Sequence, residues 1–157
     1  MWVLKGIRDA IARVKPGYEW VYVYGFCDPQ GGGSFFLLMP KVNIEVMNLA
    51  LDAFKKYLAE KAPKRILLVI DRAGWHTSEK LIWPEGIEPV YLPPKSPELQ
   101  PAERLWRVID EVIANHPQAA MALVEALLAG RCCWLMENPE VVRSCTNFGW
   151  WPAQQAL

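Results

Sequence analysis

The sequence predicts an α/β fold, and three observations carry that expectation. Short β-branched or aromatic runs stand beside longer stretches of helical period, turn-forming residues bound each run, and the resulting order is strand, strand, helix, strand, strand, helix. Glu19 to Cys27 is rich in Trp, Val and Tyr and ends at Asp28-Pro29-Gln30-Gly31-Gly32-Gly33, after which Ser34 to Met39 is again apolar. The pair reads as a hairpin with a flexible turn. Asn43 suits the cap of the helix that follows, in which Met47, Leu51, Phe54 and Leu58 share one face, and which should end near Ala62-Pro63. Arg65 to Ile70 is short and apolar and reads as a buried strand with Asp71 at its end. A short irregular helix is expected near Ser78 to Leu81, then a strand from Glu88 to Leu92, where Pro93-Pro94 forbid further pairing. From Pro101 a helix should bury Leu105, Val108, Ile109, Val112 and Ile113, with Pro101 at its first position, where the missing N–H costs nothing. Two more helices are predicted, roughly Gln118 to Leu128 and near Pro139 to Ser144.

With 157 residues, 52% of them hydrophobic, the chain fits one globular domain, 1–157, with a core of ordinary size. Its formal net charge is zero, so no global basic field draws it onto a phosphate backbone. The local basic stretch of Lys55, Lys56, Lys61, Lys64 and Arg65 reads first as a solvated helix face. Four cysteines without C-x-x-C spacing, two of them adjacent at Cys132 and Cys133, suggest reduced thiols rather than a zinc site or a disulfide framework. No apolar run reaches the roughly twenty residues of a membrane span and no charged-then-apolar leader opens the sequence, so the expectation is a cytoplasmic protein with no membrane partner.

The chemistry lies in two carboxylates at element ends. Asp71 closes a strand, and Glu103 sits in the first turn of a helix, after the proline-punctuated segment Pro94-Lys95-Ser96-Pro97-Glu98-Leu99-Gln100-Pro101-Ala102. Hard oxygen donors of this kind suit Mg²⁺. Each acid also has a structural reading: Asp71 as the cap of its own turn, Glu103 as a first-turn acid favoured by the helix dipole and paired with Arg107. His76 can orient a carboxylate or approach a bound substrate, or serve as a hydrogen-bonded structural histidine. Asp110, seven residues beyond Glu103, is a weaker candidate for the metal or for a charge facing DNA. Trp75 and Trp106 read as core rather than as base-stacking residues, and Asp28 as a hairpin-tip residue rather than a further acid of the site.

DRAGWH at Asp71 to His76 and LPPKSPELQPAERLW at Leu92 to Trp106 resemble the DDE transposases of the mariner superfamily, in their bacterial insertion-sequence branch. Gly17 to Gly25 and Pro40 to Asn48 are similar to the strand and helix-start segments preceding the second acid in that family. The resemblance implies a ribonuclease H-like mixed sheet flanked by helices, lacking its first strand. It makes Asp71 the second acid of the triad and Glu103 the third, both catalytic and both metal ligands, with Mg²⁺ as cofactor and Mn²⁺ as substitute. The first acid has no match: Trp2, Gly6 and Arg8 resemble the segment that follows it. Arg72, Lys95 and Gln100 depart from the family pattern. The function implied is that of the C-terminal part of a transposase catalytic domain, cleaving DNA at transposon ends and transferring strands, with a homodimer or full-length transposase as partner. Two alternatives stay open: a non-catalytic truncated transposase acting as a dimerisation or regulatory module, and an unrelated intracellular hydrolase using paired carboxylates.

Overall fold

The computed structural model describes residues 20–59, 65–74, 76–114 and 120–149. Strands β1 (Tyr22–Cys27) and β2 (Ser34–Met39) form the antiparallel hairpin, with Tyr22 opposite Met39 and Cys27 opposite Ser34. Its tip is closed by Asp28: the Asp28 N–H donates to the Gly33 carbonyl, and the Asp28 carbonyl and carboxylate accept the Gly32 and Gln30 N–H groups. The expected role of Asp28 as a turn residue is what the structure shows. Gly32 has φ +77° and lies so close to the Pro139 carbonyl that no side chain fits, which locks the hairpin tip to the start of the last helix.

Helix α1 (Ile44–Ala59) begins as expected, with the Val46 N–H on the Asn43 side-chain oxygen at 2.8 Å. Met47, Leu51 and Phe54 are buried and Leu58 is partly buried, so the predicted face is the core face. The expected helix end at Ala62-Pro63 lies outside the described residues, as do Trp2, Gly6, Arg8, Lys61, Lys64, Trp75 and Gln118. Strands β3 (Ile66–Ile70) and β4 (Ile87–Tyr91) pair in parallel, and the ladder runs one step further through the Leu92 N–H on the Ile70 carbonyl. The two pairs are separate sheets: among the described residues no hydrogen bonds join the hairpin to β3–β4.

Between Asp71 and β4 the predicted short helix at Ser78 to Leu81 is instead a turn. Asn48 of α1 explains the difference, because its side-chain oxygen accepts the Ile82 N–H and its amide donates to the Lys80 carbonyl. These bonds take backbone groups that a helix would need for itself. After β4 comes a 3₁₀ turn (Pro97–Leu99), then α2 (Glu103–Asp110), α3 (Met121–Glu137) and α4 (Pro139–Thr146).

Two hydrophobic cores result. In one, Phe26, the α1 face, Ile70, Leu81 and Ile87 pack together, with Phe26 stacked on Phe54. The other joins Phe36 to Leu105 and Ile109 of α2, Leu128, Cys132 and Leu135 of α3 and Val142 of α4. Trp106 is partly buried against this second core, as expected of a core residue, and Gly25 makes room for it: a side-chain carbon there would stand 3.0 Å from the indole. The α2 helix, and with it Glu103, is thereby seated on the hairpin.

Candidate active site

Strand β3 ends at Ile70, which is 5% exposed, and the next residue, Asp71, emerges with its side chain half in solvent. The Asp71 Oδ1 accepts the Ala73 N–H at 3.0 Å and lies 2.6 Å from His76 Nδ1. A carboxylate at neutral pH is only an acceptor, so the proton in the His76 bond belongs to Nδ1. His76 is itself held, its carbonyl accepting the Tyr91 hydroxyl at 2.9 Å and its N–H donating to Ala73. The expected turn cap is thus formed, on Oδ1. Oδ2 has no hydrogen-bond partner among the described residues.

Beside Asp71 opens a cleft of about 340 Å³, lined by Asp71, Arg72 and Ala73 after β3 and by Pro93 to Pro97 after β4. Lining residues of this kind, with three prolines, two cations and one carboxylate, do not make the apolar enclosure typical of a small-molecule pocket. The segment Pro93 to Pro97 continues through the 3₁₀ turn into α2. Its approach is tight: Glu103, Arg104 and Leu105 donate their N–H groups to Gln100, Pro101 and Ala102, each three residues back. The α-helix therefore starts at Glu103 rather than at Pro101. Glu103 is exposed in its first turn, and the ion pair with Arg107 expected from their spacing is not formed.

Asp110 lies two turns further along α2, about 10.5 Å by helical rise, and burial holds its carboxyl above the ordinary value. Among the described residues no three His, Cys, Asp or Glu side chains gather where one metal ion could take them all. Asp71 and His76 are thus brought together, and neither Glu103 nor Asp110 completes a three-ligand cluster with them. The four cysteines are free thiols, and among the described residues no helix is long and apolar enough to cross a membrane. The basic stretch is partly spent within the chain, Lys55 on the Glu85 carbonyl, Lys56 on Asp52 and Arg65 on Glu88.

Sequence reasoning gave Arg72 and Lys95 no place in the site, yet both line the cleft. Arg72 Nε donates to the Leu92 carbonyl at 3.2 Å, at the end of β4. Lys95 has φ +58° and is the one non-glycine residue with positive φ among the described residues. Left-handed backbone costs a residue with a Cβ about 1–2 kcal/mol. The run Pro93-Pro94-Lys95-Ser96-Pro97 is the signal that could have found it, since fixed φ angles on both sides leave Lys95 to make the turn.

The family model of the DDE superfamily endonucleases matches residues 1–122. The uncharacterized protein y4pE/y4sA of Sinorhizobium fredii is 35% identical over 98 residues, covering 62% of this chain and 71% of the relative. Among solved structures, the Mos1 transposase paired-end complex with left transposon end is similar with a TM-score of 0.55 at 16% identity, over 94% of this chain. The chain spans half the length of that transposase, 50% of it. At this identity the likeness speaks for the fold, a ribonuclease H-like α/β arrangement, as the resemblance implied. On the match over residues 1–122, the chain belongs to the family of DDE superfamily endonucleases.

Proposed function

We propose that this chain supplies the second and third acids, Asp71 and Glu103, of a DDE transposase catalytic domain, and that its substrate is DNA at transposon ends. The observation that supports this most is the state of Asp71. Histidine and backbone hold one of its oxygens in place and leave the other open beside a cleft that leads towards α2. Glu103 is likewise exposed and unpaired among the described residues. The open oxygen of Asp71 and the Glu103 carboxylate are hard donors, so the residues fit a divalent cation, Mg²⁺ with Mn²⁺ as substitute. The chemistry such an ion supplies when bound is a lowered pKa for the attacking water and neutralisation of the departing oxygen. His76 fixes the orientation of the Asp71 carboxylate, as second ligands of metal-binding acids do. Asp71 and Glu103 by themselves give an ion few protein ligands, so the chain alone should bind metal feebly. The proposal covers 1–157 as part of one catalytic domain of a cytoplasmic protein, with a second copy or a full-length transposase as partner. Four strands each with an edge free of strand pairing among the described residues are what such association would use.

A second reading is a non-catalytic module that joins full-length transposase, for which the strand edges free of pairing among the described residues would serve. One experiment separates them. Transposon-end DNA is incubated with the chain in Mg²⁺ or Mn²⁺, with and without a polypeptide supplying the first acid of the family pattern. The catalytic reading expects cleavage only in the combined sample, abolished by Asp71→Asn or Glu103→Gln. Combined samples that remain inactive while the chain still associates with full-length transposase would favour the module. Cleavage by the chain alone that survives both substitutions would refute the assignment of these acids.

A further inference from the structure

We propose that Arg72 and Lys95, which line the same cleft beside Asp71, form a seat for one phosphodiester of a DNA strand. The inference rests on the DNA-directed reading above and adds to it the residues that grip the backbone. Three observations carry it. The cleft wall holds two cations against one carboxylate, although the chain as a whole has no net charge. Neither cation is in an ion pair among the described residues. Each is also held in a way that suits an anion. Arg72 is pinned through Nε on the Leu92 carbonyl, which leaves the two terminal amino groups of the guanidinium fork for a second, planar partner. Lys95 is carried at the turn of a proline-bound segment in a backbone conformation that lysine disfavours. Strain of this sort is retained where the surroundings over-determine it, and it clusters at functional sites. The arrangement places a guanidinium fork and an ammonium point charge in the lining of one cleft, beside Asp71.

The test is a titration of the whole chain against a fluorescein-labelled duplex, followed by anisotropy in EDTA over a series of salt concentrations. Each phosphate contact contributes about 0.9 to the slope of log K against log salt on duplex, or about 0.7 on single strands. Because the two cations share one phosphate, Arg72→Gln and Lys95→Asn should each lower the slope by part of that amount and the double variant by about the whole of it, and all three should weaken binding equally on unrelated sequences. Lys95→Arg should keep the slope. Asparagine accepts left-handed backbone better than lysine, so Lys95→Asn should leave the urea midpoint unchanged or raised, and weakened DNA binding in that variant cannot come from misfolding. A free anion has the same chemistry, so inorganic phosphate at constant ionic strength is the second arm: it should displace no more duplex than chloride does. Preferential displacement by phosphate would assign the seat to a free anion and overturn the assignment to a DNA backbone. Unchanged slopes in both variants, with the parent chain still binding, would overturn this inference and leave the assignment of Asp71 and Glu103 standing. A parent chain with no salt-sensitive DNA binding would overturn this inference, whereas the assignment of Asp71 and Glu103 falls only on the cleavage assay.

Discussion

Leu105→Ala is the sharpest test of how α2 is seated. Leu105 is 1% exposed and packs in the core formed by Phe36, Ile109, Leu128, Cys132, Leu135 and Val142. Truncation removes three carbons, which at about 0.8 kcal/mol for each buried CH₂ amounts to roughly 2.4 kcal/mol of lost transfer energy. The neighbours come from the hairpin and three helices, so the gap cannot close by the movement of one element, and a cavity cost is added. A total of about 3–4 kcal/mol is expected, within the range of about 2–5 for such truncations. In a chain of this length that is a fall of roughly 6–16 °C in Tm, at about 2–4 °C per kcal/mol. The control is the same chemical change at Leu67, which is 61% exposed on β3 and should cost less than about 0.5 kcal/mol. Urea unfolding of both variants, read as the midpoint at constant m, measures the difference. Equal costs for the two leucines would refute the packing described. A large cost at Leu67 alone would mean that the outer face of β3 is covered in solution.

Asn43→Ala should cost about 1 kcal/mol through loss of the 2.8 Å cap on Val46, measurable by urea unfolding, while Asn43→Asp should keep most of it. The thiols should react in order of exposure and thiolate character: burial pushes Cys27 up to about 12 and Cys132 up to about 11, whereas Cys133 is exposed. At pH 8 a disulfide reagent such as DTNB should label Cys133 well before Cys27 and Cys132, and fast labelling of Cys27 would contradict the fold. Asp110, its carboxyl raised above 3.8 by burial, binds its proton more tightly folded than unfolded, so its contribution to stability falls as pH rises through that window. Asp110→Asn should therefore raise the urea midpoint at pH 7 and lose this advantage below pH 3.8; a lower midpoint at pH 7 would show that the ionised carboxylate has a partner.

Much of this architecture is written locally. The hairpin is bounded by its glycine turn, α1 by Asn43, and β4 by two prolines, and each of these signals acts on its own neighbours. The signals that misled were those that a distant group overrides. Ser78 to Leu81 has helix-like spacing, but Asn48 captures the backbone around it from α1. The helix expected to end near Leu128 runs on through Gly130 to Glu137, because Leu128, Cys132 and Leu135 keep one face buried on both sides of the glycine. The burial of that face outweighs the glycine, which costs about 1 kcal/mol. In the candidate site the acids were legible from their places at element ends and from the surrounding motif. The cleft was not, since it arises only when the ends of β3 and β4 come side by side, a pairing between segments with no sequence proximity to announce it.

The β1–β2 hairpin is a party wall. Phe26, Phe35 and Leu37 face the core built on α1, while Val23, Phe36 and Leu38 face the one built on α2, α3 and α4. Strands β3 and β4, by contrast, contribute to the first core only. Amide hydrogen exchange should therefore divide the sheets into two classes. The ladder-bonded hairpin amides can open only when both cores are lost, so they should exchange by global unfolding, whereas the ladder-bonded amides of β3 and β4 can exchange through a partial opening that leaves the helical half intact. The ends of those strands carry Asp71 and the segment Pro93 to Pro97. The more yielding half of the molecule is thus the one that bears the cleft, and whatever binds there draws its ordering cost from β3 and β4 rather than from the wall.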